Sequence, residues 1–217
     1  MSMRARWRVL SAVLPLILGG CATMQPYDYT NYNAHPPRSI LVLPPLNEST
    51  AVEGTYSYLA TVTRPLAELG YYVYPVAVVD QYLKANGMPT AGEMQQIPLA
   101  KIAEIVGADA VLYVDLKQYG SKFMVISSNA VVTVTAKLVD TRTATVLWAG
   151  SATAQSNSNS GNSGSFLAQL LAAAITQAIV SKADVSHGVC RLANAQLFES
   201  EGRALPYGPY NAKHTAK

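Results

Sequence analysis

The sequence predicts an α+β fold: a mixed sheet with antiparallel strands in its C-terminal part and helices packed on it. Three observations predict it. The run Ser39-Ile40-Leu41-Val42-Leu43 is short, apolar throughout and stopped by Pro44-Pro45, as suits a strand buried on both faces. Strand-like and helix-like stretches then alternate as a β-α-β-α series. From Ala110 to Ala154 the strand-like stretches follow one another directly, which predicts antiparallel neighbours.

Each element has its own signal. Tyr56, Leu59, Thr63, Leu66 and Leu69 recur at three- and four-residue steps, so Tyr56 to Leu69 reads as a helix. Pro65 within it predicts a kink or a fresh helix start, and Gly70 a C-cap. Tyr71 to Val76 is β-rich. Val78 to Ala85 reads as a short helix ended by Asn86-Gly87. Thr90 to Val106 holds one or two helices, broken at Pro98 and closed by Gly107.

Ala110 to Tyr119 alternates. Leu112, Val114 and Leu116 share one face, and Tyr113, Asp115 and Lys117 the other. Phe123 to Ile126 is a further β-rich stretch. In Ala130 to Val139, apolar Val132, Val134, Ala136 and Leu138 alternate with Thr133, Thr135 and Lys137, so one face is wet. Asp140-Thr141-Arg142-Thr143 is a hairpin turn, and Thr145 to Ala154 pairs back with Trp148 at its middle. Ser156 to Ser165 is Ser, Asn and Gly only, and reads as a flexible loop. Phe166 to Val180 is an uncharged, nearly all-round apolar helix that needs burial in the core, at a subunit contact or on a membrane surface. Asp184 to Phe198 is a last helix, and residues 201–217 a tail.

The N-terminus carries a different message. Arg4, Arg6 and Arg8 precede an uncharged apolar run from Val9 to Leu18. As a helix that run is about 15 Å long, half of a bilayer core, so residues 1–20 read as an export signal and not a span. Leu18-Gly19-Gly20-Cys21 resembles a bacterial lipobox, with Gly19 where Ala or Ser is commoner. The resemblance implies that Cys21 is the lipidation site, with cleavage before it and acylation of the new amine. The alternative is an ordinary signal cut near Ala22, which leaves Cys21 a plain thiol. Residues 21–38 read as a lipid-anchored tether, whose Tyr27, Tyr29 and Tyr32 could dock on the body or lie at headgroup level. Residues 39–200 form the folded domain.

Charge narrows the partners. The chain has 16 Lys+Arg and 13 Asp+Glu. Losing three signal arginines would leave the mature chain formally neutral, so no basic field remains to attract nucleic acid. Membrane attachment then falls to lipid, at about 0.8 kcal/mol per buried methylene. With Cys21 alkylated, Cys190 has no intramolecular partner and reads as a small buried apolar residue. An intermolecular disulfide is the second reading for it, and a catalytic thiol beside His187 the third.

No catalytic constellation stands out, and the expectation is no enzyme, no cofactor and no metal. His35, His187 and His214 are scattered, and neither HExxH nor CxxC occurs. Gly161 to Ser165 does not fit a nucleophile elbow. Asp109, Asp115 and Glu104 are the acids that a fold could bring together as paired carboxylates. The plainer reading makes Asp109 a cap before its strand and Asp115 an exposed partner of Lys117.

Three blocks, Arg64-Pro65-Leu66-Ala67-Glu68-Leu69-Gly70-Tyr71-Tyr72-Val73-Tyr74-Pro75-Val76, Gly107-Ala108-Asp109-Ala110-Val111-Leu112-Tyr113 and Leu138-Val139-Asp140-Thr141-Arg142-Thr143, together with Val146-Leu147-Trp148 and the lipobox, carry a wider likeness. They resemble a family of proteobacterial outer-membrane lipoproteins that includes a neisserial surface-lipoprotein vaccine antigen. The family usually has Gly where this chain has Ala144. The resemblance implies a fold like the amino-terminal domain of TolB and the periplasmic domain of CsgG, the curli secretion pore. It implies a CsgG-like envelope lipoprotein, or self-association, as partner, and Ala22 after the cysteine implies export to the outer membrane. It carries over no residue but Cys21. The expected function is a non-enzymatic, lipid-anchored, periplasm-facing accessory or assembly component of a CsgG-like secretion or surface-structure system. A ligand-binding or enzymatic periplasmic lipoprotein, and a peptidoglycan-linked structural one, are the alternatives.

Overall fold

The computed structural model describes residues 26–123, 128–156 and 182–214. The signal, Cys21, the loop after Ser156 and the apolar stretch Phe166–Val180 lie outside the described residues. The elements run α1 (Thr30–Ala34), β1 (Ser39–Val42), β2 (Leu46–Asn47), α2 (Gly54–Glu68), β3 (Tyr72–Val73), α3 (Val76–Ala85), α4 (Ala91–Met94), α5 (Leu99–Ile105), β4 (Ala110–Phe123), β5 (Ser128–Asp140), β6 (Val146–Gln155) and α6 (Lys182–Glu199). One mixed sheet has the order β3-β1-β4-β5-β6, with β2 also pairing β4. β1 is parallel to both β3 and β4, whereas β4, β5 and β6 are antiparallel.

Alternation decides which layer each residue joins. Ile40 and Val42 of β1 face the main core, with Leu112, Val114, Leu116, Val132, Val134 and Leu138. Helices α2 and α6 close that face through Tyr58, Val62, Leu66, Val189, Ala193 and Leu197. Burying each large aliphatic here contributes about 1.5–3 kcal/mol. Trp148 is fully buried among them, and its indole N–H donates to the Arg203 carbonyl at 2.9 Å. Gly150 makes room for it, since a Cβ there would lie 2.7 Å from the indole ring.

Leu41, Leu43 and Val111 turn to the opposite face, where α3, α4 and α5 cover them. Those helices reach only the β1 side of the sheet. Over β5 and β6 the same face is wet: Thr133 and Thr153 bond each other across the strands in the open.

The predicted elements shift in detail. Pro65 does not start a new helix: α2 runs through it and ends one turn later at Glu68. Gly70 turns the chain with φ 90°. The β-rich stretch from Tyr71 shrinks to two paired residues, because Pro75 already caps α3. Phe123 closes β4 and is not the start of a separate strand, while residues 124–126 lie outside the described residues. In the turn after β5, Asp140 Oδ1 accepts from the backbone N–H groups of Arg142 and Thr143 at 2.9 and 2.8 Å. Ala144 then takes φ 56°, the only non-glycine with positive φ among the described residues.

The described part of the segment read as a tether, residues 26–38, is packed on the body. Tyr32 is buried in the main core, and Tyr27 and Tyr29 pack against it. These tyrosines thus dock on the body. The tail likewise returns: Leu205 is buried, and Gly208 and Tyr210 donate their backbone N–H groups to the carbonyls of Leu69 and Gly70.

Candidate functional site

The acids considered as a pair are kept apart. Asp109 Oδ2 accepts from the backbone N–H groups of Arg38 and Ser39 and from the Ser39 hydroxyl, each at 3.0 Å. It fastens the entry of β1 to that of β4. Asp115 lies six residues along the strand, about 20 Å away at strand rise, far beyond the separation used in glycoside hydrolysis. It sits 3.8 Å from Lys117 Nζ, which also pairs with Glu48 at 2.5 Å. Glu104 pairs with Lys101 on α5 at 2.8 Å. Among the described residues, no three His, Cys, Asp or Glu side chains gather at metal-binding distance.

Cys190 is wholly buried on the inner face of α6, and burial pushes its thiol up to about 12. Neighbouring His187 is exposed on the same helix, so it does not sit over the sulfur. His214 bonds the Tyr207 carbonyl through Nδ1 at 2.8 Å. Cys21 lies outside the described residues.

Two further features emerge; the first was not anticipated from sequence, and the second shows how the N-terminal tyrosines dock. The first is an apolar groove of about 520 Å³ between α3, α5 and β1. Leu41 and Leu43 form its floor, and Tyr74, Val79, Leu83 and Ile102 its walls. Helix α3 buries Val79 and Leu83, one turn apart, yet leaves Val78 and Tyr82 at the mouth, 64% and 46% exposed. Ile105 of α5 faces them across the opening at 55%. The helices carry a wider apolar stripe than the sheet can cover. The signal was in the run Val76-Ala77-Val78-Val79, which is apolar over more than one helix face. Tyr113 lies partly buried beside this layer, and desolvation raises its hydroxyl pKa.

The second is a clasp between the two chain ends. The Tyr27 hydroxyl accepts from the Ala149 N–H at 2.8 Å, and the Arg203 guanidinium lies over the Tyr27 ring. Tyr29 donates to the Ala204 carbonyl at 2.6 Å. Tyr71 donates to the Pro206 carbonyl at 2.5 Å, which leaves its oxygen to accept from the Tyr32 hydroxyl at 2.6 Å. Burial raises the pKa of both Tyr32 and Tyr71, so the relay stays protonated. Nothing in the clasp is reactive; it holds.

Residues 27–210 match the family described as "Putative lipoprotein GNA1162-like". The chain is 40% identical over 184 residues to "Putative lipoprotein NMB1124/NMB1162" of Neisseria meningitidis serogroup B, covering 85% of each. The crystal structure of lipoprotein GNA1162 from Neisseria meningitidis matches with 44% identity and a TM-score of 0.55, over 65% of this chain and 96% of that one. The PelC dodecamer from Paraburkholderia phytofirmans matches with 14% identity and a TM-score of 0.40, over 74% and 88%. The chain belongs to the GNA1162-like lipoprotein family.

Proposed function

We propose that the protein is a non-enzymatic lipoprotein held by Cys21 in the outer membrane, its body facing the periplasm. In this reading residues 1–20 are removed and the domain serves as an accessory or assembly component of a CsgG-like secretion or surface-structure system. The body would share the architecture of the TolB amino-terminal and CsgG periplasmic domains. The observation that carries the reading is the groove. Val78, Tyr82 and Ile105 present an apolar face that a protein partner would bury.

The test is crosslinking in intact cells, scored in wild type, Cys21→Ser and Val78→Asp/Ile105→Asp. Wild type is expected to trap an envelope partner. The groove variant should lose it while still fractionating with the outer membrane. Cys21→Ser should leave an unprocessed precursor elsewhere. Recovery of monomer alone from wild type, or outer-membrane fractionation of Cys21→Ser, would refute the reading.

The groove also favours a second reading, a site for a small apolar ligand, because its volume falls within the roughly 300–1,000 Å³ of such pockets. Its one lysine, Lys101, is already engaged by Glu104, so few polar groups are left to orient a ligand. Native mass spectrometry of detergent-extracted protein separates the two: a copurifying lipid of defined mass favours the ligand.

A further inference from the structure

We infer that the outer face of the clasp, formed by Tyr27, Tyr29, Arg203, Tyr207, Tyr210 and Lys213, rests on the phospholipid headgroups. The inference rests on the Cys21 anchor proposed above and adds an orientation to it.

Chain length sets the constraint. Tyr27 is already hydrogen-bonded to β6, and Pro26 is its neighbour. Between Cys21 and Pro26 lie five Cα–Cα steps, at most about 18 Å when fully extended. The acyl chains attach at Cys21, so the folded body cannot drift further than that from the leaflet. The surface nearest to Pro26 must therefore be the surface nearest to lipid.

That surface has interfacial chemistry. Tyr207 and Tyr210 are exposed, the latter at 66%. The Lys213 ammonium lies 5.5 Å from the centre of the Tyr207 ring, and the Arg203 guanidinium 5.4 Å from that of Tyr27. Tyrosines and long cationic side chains put apolar stems beside acyl chains and polar tips among headgroups. The exposed acids Glu199 and Glu201 lie within four residues of Arg203, and exposed Asp28 follows Tyr27, so they offset these cations. Contact would thus be kept within reach by the short spacer and favoured by the tyrosines, with little help from anionic lipid. The groove lies across the sheet from the clasp, since its floor residues and the clasp tyrosines join opposite cores. This orientation leaves it open to the periplasm.

The test uses the full-length, acylated protein, extracted in detergent and reconstituted into vesicles of phosphatidylethanolamine and phosphatidylglycerol that carry a headgroup nitroxide. A fluorophore is placed at Tyr210→Cys or at Val52→Cys. Val52 is 88% exposed and precedes the opposite end of α2, a helix about 22 Å long. Both positions are exposed, so neither change disturbs the core, and Cys190 is buried away from the dye. Quenching is expected to be several-fold stronger at 210 than at 52. Equal quenching, or stronger quenching at 52, in protein that floats with the vesicles overturns the orientation and leaves the anchor standing. Protein that fails to float has no anchor, and the orientation falls with it.

Discussion

Replacing Tyr71 with phenylalanine removes one hydroxyl from the middle of a relay that runs from Tyr32 through Tyr71 to the Pro206 carbonyl. Two groups lose their partner at once. The buried Tyr32 hydroxyl loses its acceptor, and the Pro206 carbonyl its donor. At about 1–3 kcal/mol for each unsatisfied buried group, less some relaxation, the cost is about 2–4 kcal/mol. Tyr32→Phe is the control. It takes away a donor but leaves Tyr71 bonded to Pro206, so its cost is that of one ordinary hydrogen bond, about 0.5–1.5 kcal/mol. In a domain of this size those losses correspond to about 5–15 °C and about 1–5 °C in Tm. Urea denaturation followed by circular dichroism measures both, and the m value should not change. The direction of the relay is what is at stake. If Tyr32→Phe costs as much as Tyr71→Phe, the hydroxyl of Tyr71 is not the shared element and the reasoning fails.

Ala144→Gly should stabilise the fold by up to about 1 kcal/mol, seen as a raised urea midpoint, because Ala144 holds a left-handed conformation that suits glycine. Asp140 gives a pH signature. Burial pushes its pKa up, but the hydrogen bonds from Thr143 and Arg142 outweigh that and hold it below 3.8. A depressed carboxyl adds stability above its unfolded pKa and loses it as pH falls through the folded value. Asp140→Asn should therefore cost about 1–2 kcal/mol at pH 7, with the gap to wild type closing below about pH 4 in a series of urea melts. Cys190, with its thiol pushed up to about 12, should resist maleimide at pH 7 and be labelled only once urea unfolds the chain; mass spectrometry counts the adducts.

The body of the fold was legible because its signals are local. Pro44-Pro45 ended β1, and the alternation of Leu112, Val114 and Leu116 with Tyr113, Asp115 and Lys117 sorted β4 into its two faces. Asp109 was read as a cap before its own strand; the strand entry it caps is that of β1 alongside. The chain ends were not legible in this way. Tyr27, Tyr29 and Tyr32 show no apolar period, and their partners Ala149, Ala204 and Tyr71 lie 122, 175 and 39 residues away. Nothing local marks a tyrosine for a distant partner. The groove was missed for another reason. Val78 to Ala85 was read only as a short helix, with no face assigned; Val79 and Leu83 turn out to be its buried residues and Val78 and Tyr82 its exposed ones, and sequence does not tell how far a helix layer extends across a sheet.

The docked N-terminal segment also guards against association. Among the described residues β6 has a strand neighbour on one side alone, and ten-residue borders of that kind invite pairing with another molecule. Here Tyr27 occupies the Ala149 N–H and the Asn31 amide occupies the Val146 carbonyl, so two ladder positions are blocked by side chains. A chain shortened to begin at Ser39 would bare that border, and its tendency to dimerise or precipitate would be the cost of losing a stretch that looked like a mere leash.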